Sequence, residues 1–169
     1  MFIAIVIILC EKTADISNPI ENSKSGVHFS IPGHWIVTED EDNNDFRYIF
    51  IESPGDAIFM VEVYRYENPF SLKEYVDLSV EEYRNDFYMG KVNRNTFSEI
   101  NIKAAAREWD GIRNQFSVKV MGIEVPHVQD FYAIESESRV AYLSSQVAEE
   151  DFEKVSDGFE LILKSFRFD

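Results

Sequence analysis

The sequence predicts an α+β fold: an antiparallel β-sheet of about six to eight strands packed with two main helices. Two stretches with apolar residues at every third or fourth position supply the helices. Segments that alternate apolar and polar residues, divided by turn formers, supply the strands. At 169 residues the chain suits one domain, which buries roughly two-thirds of its unfolded surface and needs no disulfide or metal. An apolar fraction of 45%, with 14 Phe and 8 Tyr, fills such a core.

The first segment is an unbroken apolar run, Phe2 to Leu9, closed by Cys10, the one cysteine of the chain. A lone cysteine forms no internal disulfide and no cysteine-rich metal site. The run has the length of a short signal-peptide core, although the amino terminus is its only flanking positive charge. It is too short for a bilayer, which takes about 20 helical residues. Ile7-Ile8-Leu9-Cys10 resembles a bacterial lipoprotein signal, in which the cysteine carries the lipid; Leu9 departs from the small residue expected there. A buried first strand is the alternative. Residues 1–10 are therefore read as a signal or lipoprotein segment with Cys10 as lipid attachment site. Residues 11–25 are read as a polar spacer, and 26–169 as a single α+β domain.

Val27, Phe29 and Ile31 alternate with His28 and Ser30 in a half-buried strand that Pro32-Gly33 ends, and Trp35 begins a second. An acidic loop, Glu39 to Asp45, follows. Phe46 to Glu52 and Ala57 to Tyr66 form a hairpin around Ser53-Pro54-Gly55-Asp56. Ser71-Leu72-Lys73-Glu74 is a capping box and opens the first helix. Its apolar face is Leu72, Tyr75, Val76, Val80, Tyr83 and Phe87, and Gly90 stops it. Phe97 to Ala105, Ile112 to Gly122, Val125 to Ser136 and Arg139 to Val147 read as successive antiparallel strands. The second helix carries Phe152, Val155, Phe159, Ile162 and Phe166 on one face, with Glu149, Glu150 and Asp151 at its start. Gly158 within it reads as a point of close packing, since glycine costs a helix about 1 kcal/mol against alanine.

Thirty-one acidic against 16 basic residues give a net charge of −15. That excess repels phosphate backbones, and the densest basic stretch, Lys91 to Arg94, holds only two cations, so nucleic acid is not an expected partner. A Gly-x-Ser-x-Gly elbow and a phosphate-binding glycine loop are both absent from the sequence. His28, His34 and His127 lack metal-ligand spacing. Neither catalytic residues nor a cofactor are assigned. The acidic run reads as a solvated loop; a calcium site at Asp40, Asp42 and Asp45 is the alternative, without the spacing of an EF-hand. Tyr64, Tyr66 and Trp109 mix aromatic and charged surroundings and are candidates for a partner-binding patch. For Trp109 the competing reading is a cover over the edge of the core.

Gly26-Val27-His28-Phe29-Ser30-Ile31-Pro32-Gly33-His34-Trp35 resembles the opening of the PsbP-like superfamily. The end, Ala141-Tyr142-Leu143 through a helix to Ile162-Leu163-Lys164-Ser165-Phe166, is similar to the closing strand and helix of that group, including its DcrB-like bacterial lipoproteins. The resemblance covers roughly a quarter of the chain and implies an α/β/α sandwich with non-enzymatic, accessory roles and no shared catalytic residues. The expected function is protein binding or assembly support in the cell envelope, by a lipid-anchored monomer with a protein partner that is basic or part of a membrane complex. A small-ligand protein using a cleft between sheet and helix is the alternative, as is an acidic cytoplasmic adaptor or immunity-type inhibitor of a basic partner.

Overall fold

The computed structural model describes residues 13–65, 70–86, 91–104 and 107–169. Cys10 and the apolar run before it, and Tyr66, Phe87 and Gly90, lie outside the described residues. Strands β1 (Ile20–Lys24), β2 (Val27–Ile31), β3 (Ile36–Asp42), β4 (Phe46–Glu52) and β5 (Ile58–Tyr64) precede helix α1 (Leu72–Asp86). Strands β6 (Lys91–Ala104), β7 (Arg107–Val120), β8 (Ile123–Glu135) and β9 (Val140–Ala148) follow. One 3-10 turn then leads into α2 (Phe152–Ser165), and β10 (Arg167–Phe168) closes the chain.

The main sheet has seven strands in the order β3-β4-β5-β9-β8-β7-β6, every neighbouring pair antiparallel. Alternation along each strand sorts its side chains between two faces. One face sets Ile49, Ile51, Phe59, Val61, Val63, Ala141 and Leu143 against Val155, Phe159 and Ile162 of α2 and against β2. The opposite face sets Phe131, Val140 and Tyr142 against Tyr75, Val76 and Val80 of α1. Each such large apolar side chain contributes about 1.5–3 kcal/mol on burial. The capping box forms: Ser71 N–H donates to Glu74 Oε2 at 2.8 Å, and Glu74 N–H donates to Ser71 Oγ at 3.3 Å.

Two expectations change. The opening strand, β2, leaves the main sheet and pairs with β1 and β10 in a small second sheet beside α2. Its partner β1 falls within the stretch read as a spacer. Upstream, Ala14 N–H donates to Lys154 O at 2.9 Å and Gly33 N–H to Asp15 O at 2.9 Å, so the chain joins the fold well before residue 26. Ala14 also approaches Gly158: a Cβ there would lie 2.9 Å from Ala14 Cβ and 2.9 Å from Trp35 Cζ2. Gly158 is thus a point of close packing.

The acidic run is the second correction. Glu39 to Asp42 lie in β3, and only Asn43 to Asp45 turn the chain. Arg47, 0% exposed, makes the strand possible. Its Nε and Nη2 donate to the two oxygens of Asp40 at 2.9 and 3.1 Å, and its Nη1 donates to Lys24 O at 2.6 Å. One buried guanidinium therefore ties β4 to β3 and to the small sheet.

Candidate functional site

Among the described residues the sheet face beneath α1 is only partly covered. The helix lies over β7, β8 and β9, so the outer part of the same face, on β3, β4 and β5, extends past it. Tyr48 and Phe50 of β4 stack there with ring centroids 6.3 Å apart, next to Ile58 and Met60 of β5. All four are half-buried and belong to neither apolar core. Ile36, opposite Glu52, adds an exposed aliphatic group to the strip. Acids rim it: Glu39 pairs across from Phe50, Glu41 from Tyr48, and Glu62 from Tyr48 on the other side. Burial first, then Glu39, Glu62, Glu41 and Glu82, push the Tyr48 phenol up to about 12.

Glu62 is the anchor between strip and helix. Tyr75 Oη of α1 donates to its Oε1 at 3.0 Å, and Tyr64 Oη donates to its Oε2 at 3.0 Å. Burial raises the Glu62 carboxyl above its ordinary value, against the lowering effect of those two tyrosine bonds. Tyr75 in turn stacks on Tyr142 at 4.1 Å with the rings 7° from parallel, and Tyr142 Oη donates to Phe70 O at 2.5 Å. The tyrosines form a rigid wall, worth about 0.5–1.5 kcal/mol per ring pair beyond area burial. Of the sequence candidates, Tyr64 sits in this wall, between Phe46, Phe70 and Tyr142. Tyr48, Phe50 and Met60 were missed; their polar-face positions in alternating strands look like ordinary solvent-side residues.

Trp109 does not join them. It is 7% exposed and packs in the α2-side core, so it covers the core edge and is not an exposed anchor. Of the three acids of the calcium alternative, Asp40 and Asp42 point to cations of the protein itself. Asp40 bonds Arg47 and Lys24, while Asp42 accepts from Ser25 Oγ at 2.7 Å and from Arg65. Among the described residues no three His, Cys, Asp or Glu side chains group as a metal site.

On the other face, a cleft of about 320 Å³ opens between α2 and strands β6, β7 and β8. Arg113 and Asp130, cross-strand partners on β7 and β8, meet there in a bidentate pair with both bonds at 2.7 Å. The Arg113 guanidinium lies 4.6 Å over the Phe152 ring.

No protein-family model matches this chain, and no curated protein matches it in sequence. Solved structures do match in fold. Cyanobacterial PsbP from Synechocystis superposes with a TM-score of 0.56 at 11% identity, over 91% of this chain and 94% of that one. A protein from Bacteroides thetaiotaomicron matches with a TM-score of 0.50 at 11% identity, over 94% of this chain and 49% of that one. LpqN, involved in cell envelope biogenesis of Mycobacterium tuberculosis, gives a TM-score of 0.46 at 11% identity, over 88% of each chain. At these identities the likeness to PsbP is one of architecture: the chain has a PsbP-like α+β fold.

Proposed function

We propose that this protein is a non-enzymatic accessory factor of the cell envelope, held to the membrane through Cys10, that docks a basic segment of a partner protein on the acid-rimmed aromatic strip. The observation that carries the reading is the strip itself. Tyr48, Phe50, Ile58 and Met60 offer apolar and aromatic contact, the surroundings that binding hot spots favour. The rim of Glu39, Glu41 and Glu62 and the net charge of −15 select lysine and arginine in the occupant and steer it in at a salt-dependent rate. The tyrosine wall is preformed, which lowers the ordering cost of binding.

The placement at the membrane rests on the sequence of residues 1–10; among the described residues no helix is long and apolar enough to cross a bilayer. Membrane fractionation tests it. The full chain is expected with the membranes and Cys10→Ser in the soluble fraction; equal distribution of the two contradicts the tether. Docking is tested by reversing the rim. Glu39→Lys with Glu41→Lys removes two exposed acids without touching a core side chain, and is expected to abolish a salt-sensitive association that the parent chain shows. An association indifferent to both salt and charge reversal contradicts the reading.

A further inference from the structure

The cleft between α2 and the sheet holds polar groups that the fold itself leaves unused. Tyr132 and Ser145 line it and are 4% and 3% exposed, yet neither side chain makes a hydrogen bond among the described residues. Ser156 of α2, half-buried, lines the cleft and likewise makes no side-chain hydrogen bond among the described residues. Arg113 spends Nε and Nη2 on Asp130 and leaves Nη1 without a bond among the described residues. These groups open onto the cleft and are available to a ligand atom that supplies the missing bond. Tyr132 and Ser145 from the buried floor and Ser156 and Arg113 from half-buried positions, with Phe152, Phe159 and Ile100 as apolar walls, make a small-molecule site in which few polar groups fix orientation.

The charges of the cleft decide what enters. Asp130 neutralises Arg113 through both guanidinium bonds, and Glu160 at the rim is paired with Lys164. Among the described residues that line the cleft no charge is left over to pair with an ion, and an unpaired ion is costly to bury. The free groups are weighted to donors: three hydroxyls and one guanidinium N–H. Tyr132 keeps its proton, since burial first and Asp130 next push its phenol far up. Gly111 is what lets that ring lie flat on the sheet, because a Cβ there would sit 2.5 Å from Tyr132 Cε1.

We propose that this cleft binds an uncharged amphipathic small molecule, with an aromatic or alicyclic body on the phenylalanines and a carbonyl-type acceptor on Tyr132 and Ser145. The site lies on the opposite side of the sheet from the docking strip and does not depend on it.

The test is an NMR titration of the full chain with three probes of similar shape: acetophenone (neutral, with an acceptor), isopropylbenzene (neutral, without one) and benzoate (charged). Acetophenone is expected to shift cleft resonances, Ile100, Ile102 and Leu163 among them, and to bind more tightly than either other probe by roughly three- to tenfold. Tyr132→Phe, which keeps the ring, is expected to remove that preference; Ser145→Ala gives a second reading if the first variant fails to fold. Shifts with none of the probes up to about 10 mM overturn the site. Benzoate binding as well as acetophenone overturns the assignment of an uncharged ligand. Equal binding of isopropylbenzene, or an acetophenone affinity untouched in both variants, overturns the role of the hydroxyls.

Discussion

Replacing Asp40 with asparagine should destabilise this protein far more than its place in an acidic strand suggests. The carboxylate holds a guanidinium that is 0% exposed, through bonds of 2.9 and 3.1 Å, and the third bond of that guanidinium reaches only a backbone carbonyl. Asparagine keeps the shape and one oxygen but strands a buried positive charge. Breaking a buried pair from one side costs about 3–5 kcal/mol, and the partial exposure of Asp40 puts this case near the lower end. About 3 kcal/mol corresponds to a melting point lower by roughly 6–12 °C in a chain of this size. Arg47→Met removes the buried charge itself and leaves Asp40 with Lys24, so it should cost less. Acid supplies an independent check. Burial raises the Asp40 carboxyl, but the bonds from Arg47 and Lys24 outweigh it and hold it below its ordinary value. A depressed folded pKa gives stability that is present above the unfolded pKa and is lost as pH falls through the folded one. The gap between parent and Asp40→Asn is therefore widest near neutrality and closes on acidification. Urea titrations followed by tryptophan fluorescence measure it. A variant within about 0.5 kcal/mol of the parent at neutral pH, or a gap that widens in acid, refutes the reasoning.

Other perturbations test separate parts of the structure. Gly158→Ala gains about 1 kcal/mol of helix propensity but drives a methyl to 2.9 Å from Ala14 and Trp35, so packing should win and stability fall by roughly 1–2 kcal/mol; a rise shows that residues 13–15 yield freely. Met121 holds a left-handed φ of 50° in the β7–β8 turn while 96% exposed, so Met121→Asn should raise stability by about 0.5–1 kcal/mol in thermal melts, and a loss contradicts this. The Glu62 carboxyl is raised by burial despite its tyrosine bonds, so its folded form holds the proton longer and stability is lost as pH rises through that folded pKa. Glu62→Gln should thus compare more favourably with the parent in melts at neutral pH than below the ordinary glutamate range; the reverse order contradicts the burial.

Much of this architecture is legible in the sequence, for physical reasons that differ by element. Both helices are announced by period and by local chemistry, and the Ser71–Glu74 box closes as its spacing requires. Strand β1 could not be read, because it sits at an edge with almost every side chain in water, so Ile20 to Lys24 carry no alternation. Glu39 to Asp42 read as a loop because consecutive acids suit strands poorly. The fact that reverses this, a guanidinium buried beneath them, belongs to Arg47 on the next strand. Aromatics posed a similar problem. Alternation puts Tyr64 and Trp109 in strands but does not say which face will be covered, and the core on the α2 side takes in Trp109 while α1 stops short of Tyr48. A cleft between sheet and helix is the alternative reading of the sequence. Its chemistry is not legible there, since Arg113 and Asp130 meet only through the register of β7 with β8.

Whether the strip on β4 and β5 is a docking face is decided by site-specific photocrosslinking in the native host. A photoreactive phenylalanine analogue at Phe50 keeps the aromatic surface, and the same group at the exposed Asp157 on α2 serves as control. A docking strip gives a discrete protein adduct from position 50 and not from 157, diminished by added salt and by Glu39→Lys with Glu41→Lys. Matching adducts from both positions, or an adduct at position 50 that ignores salt and charge reversal, would contradict it.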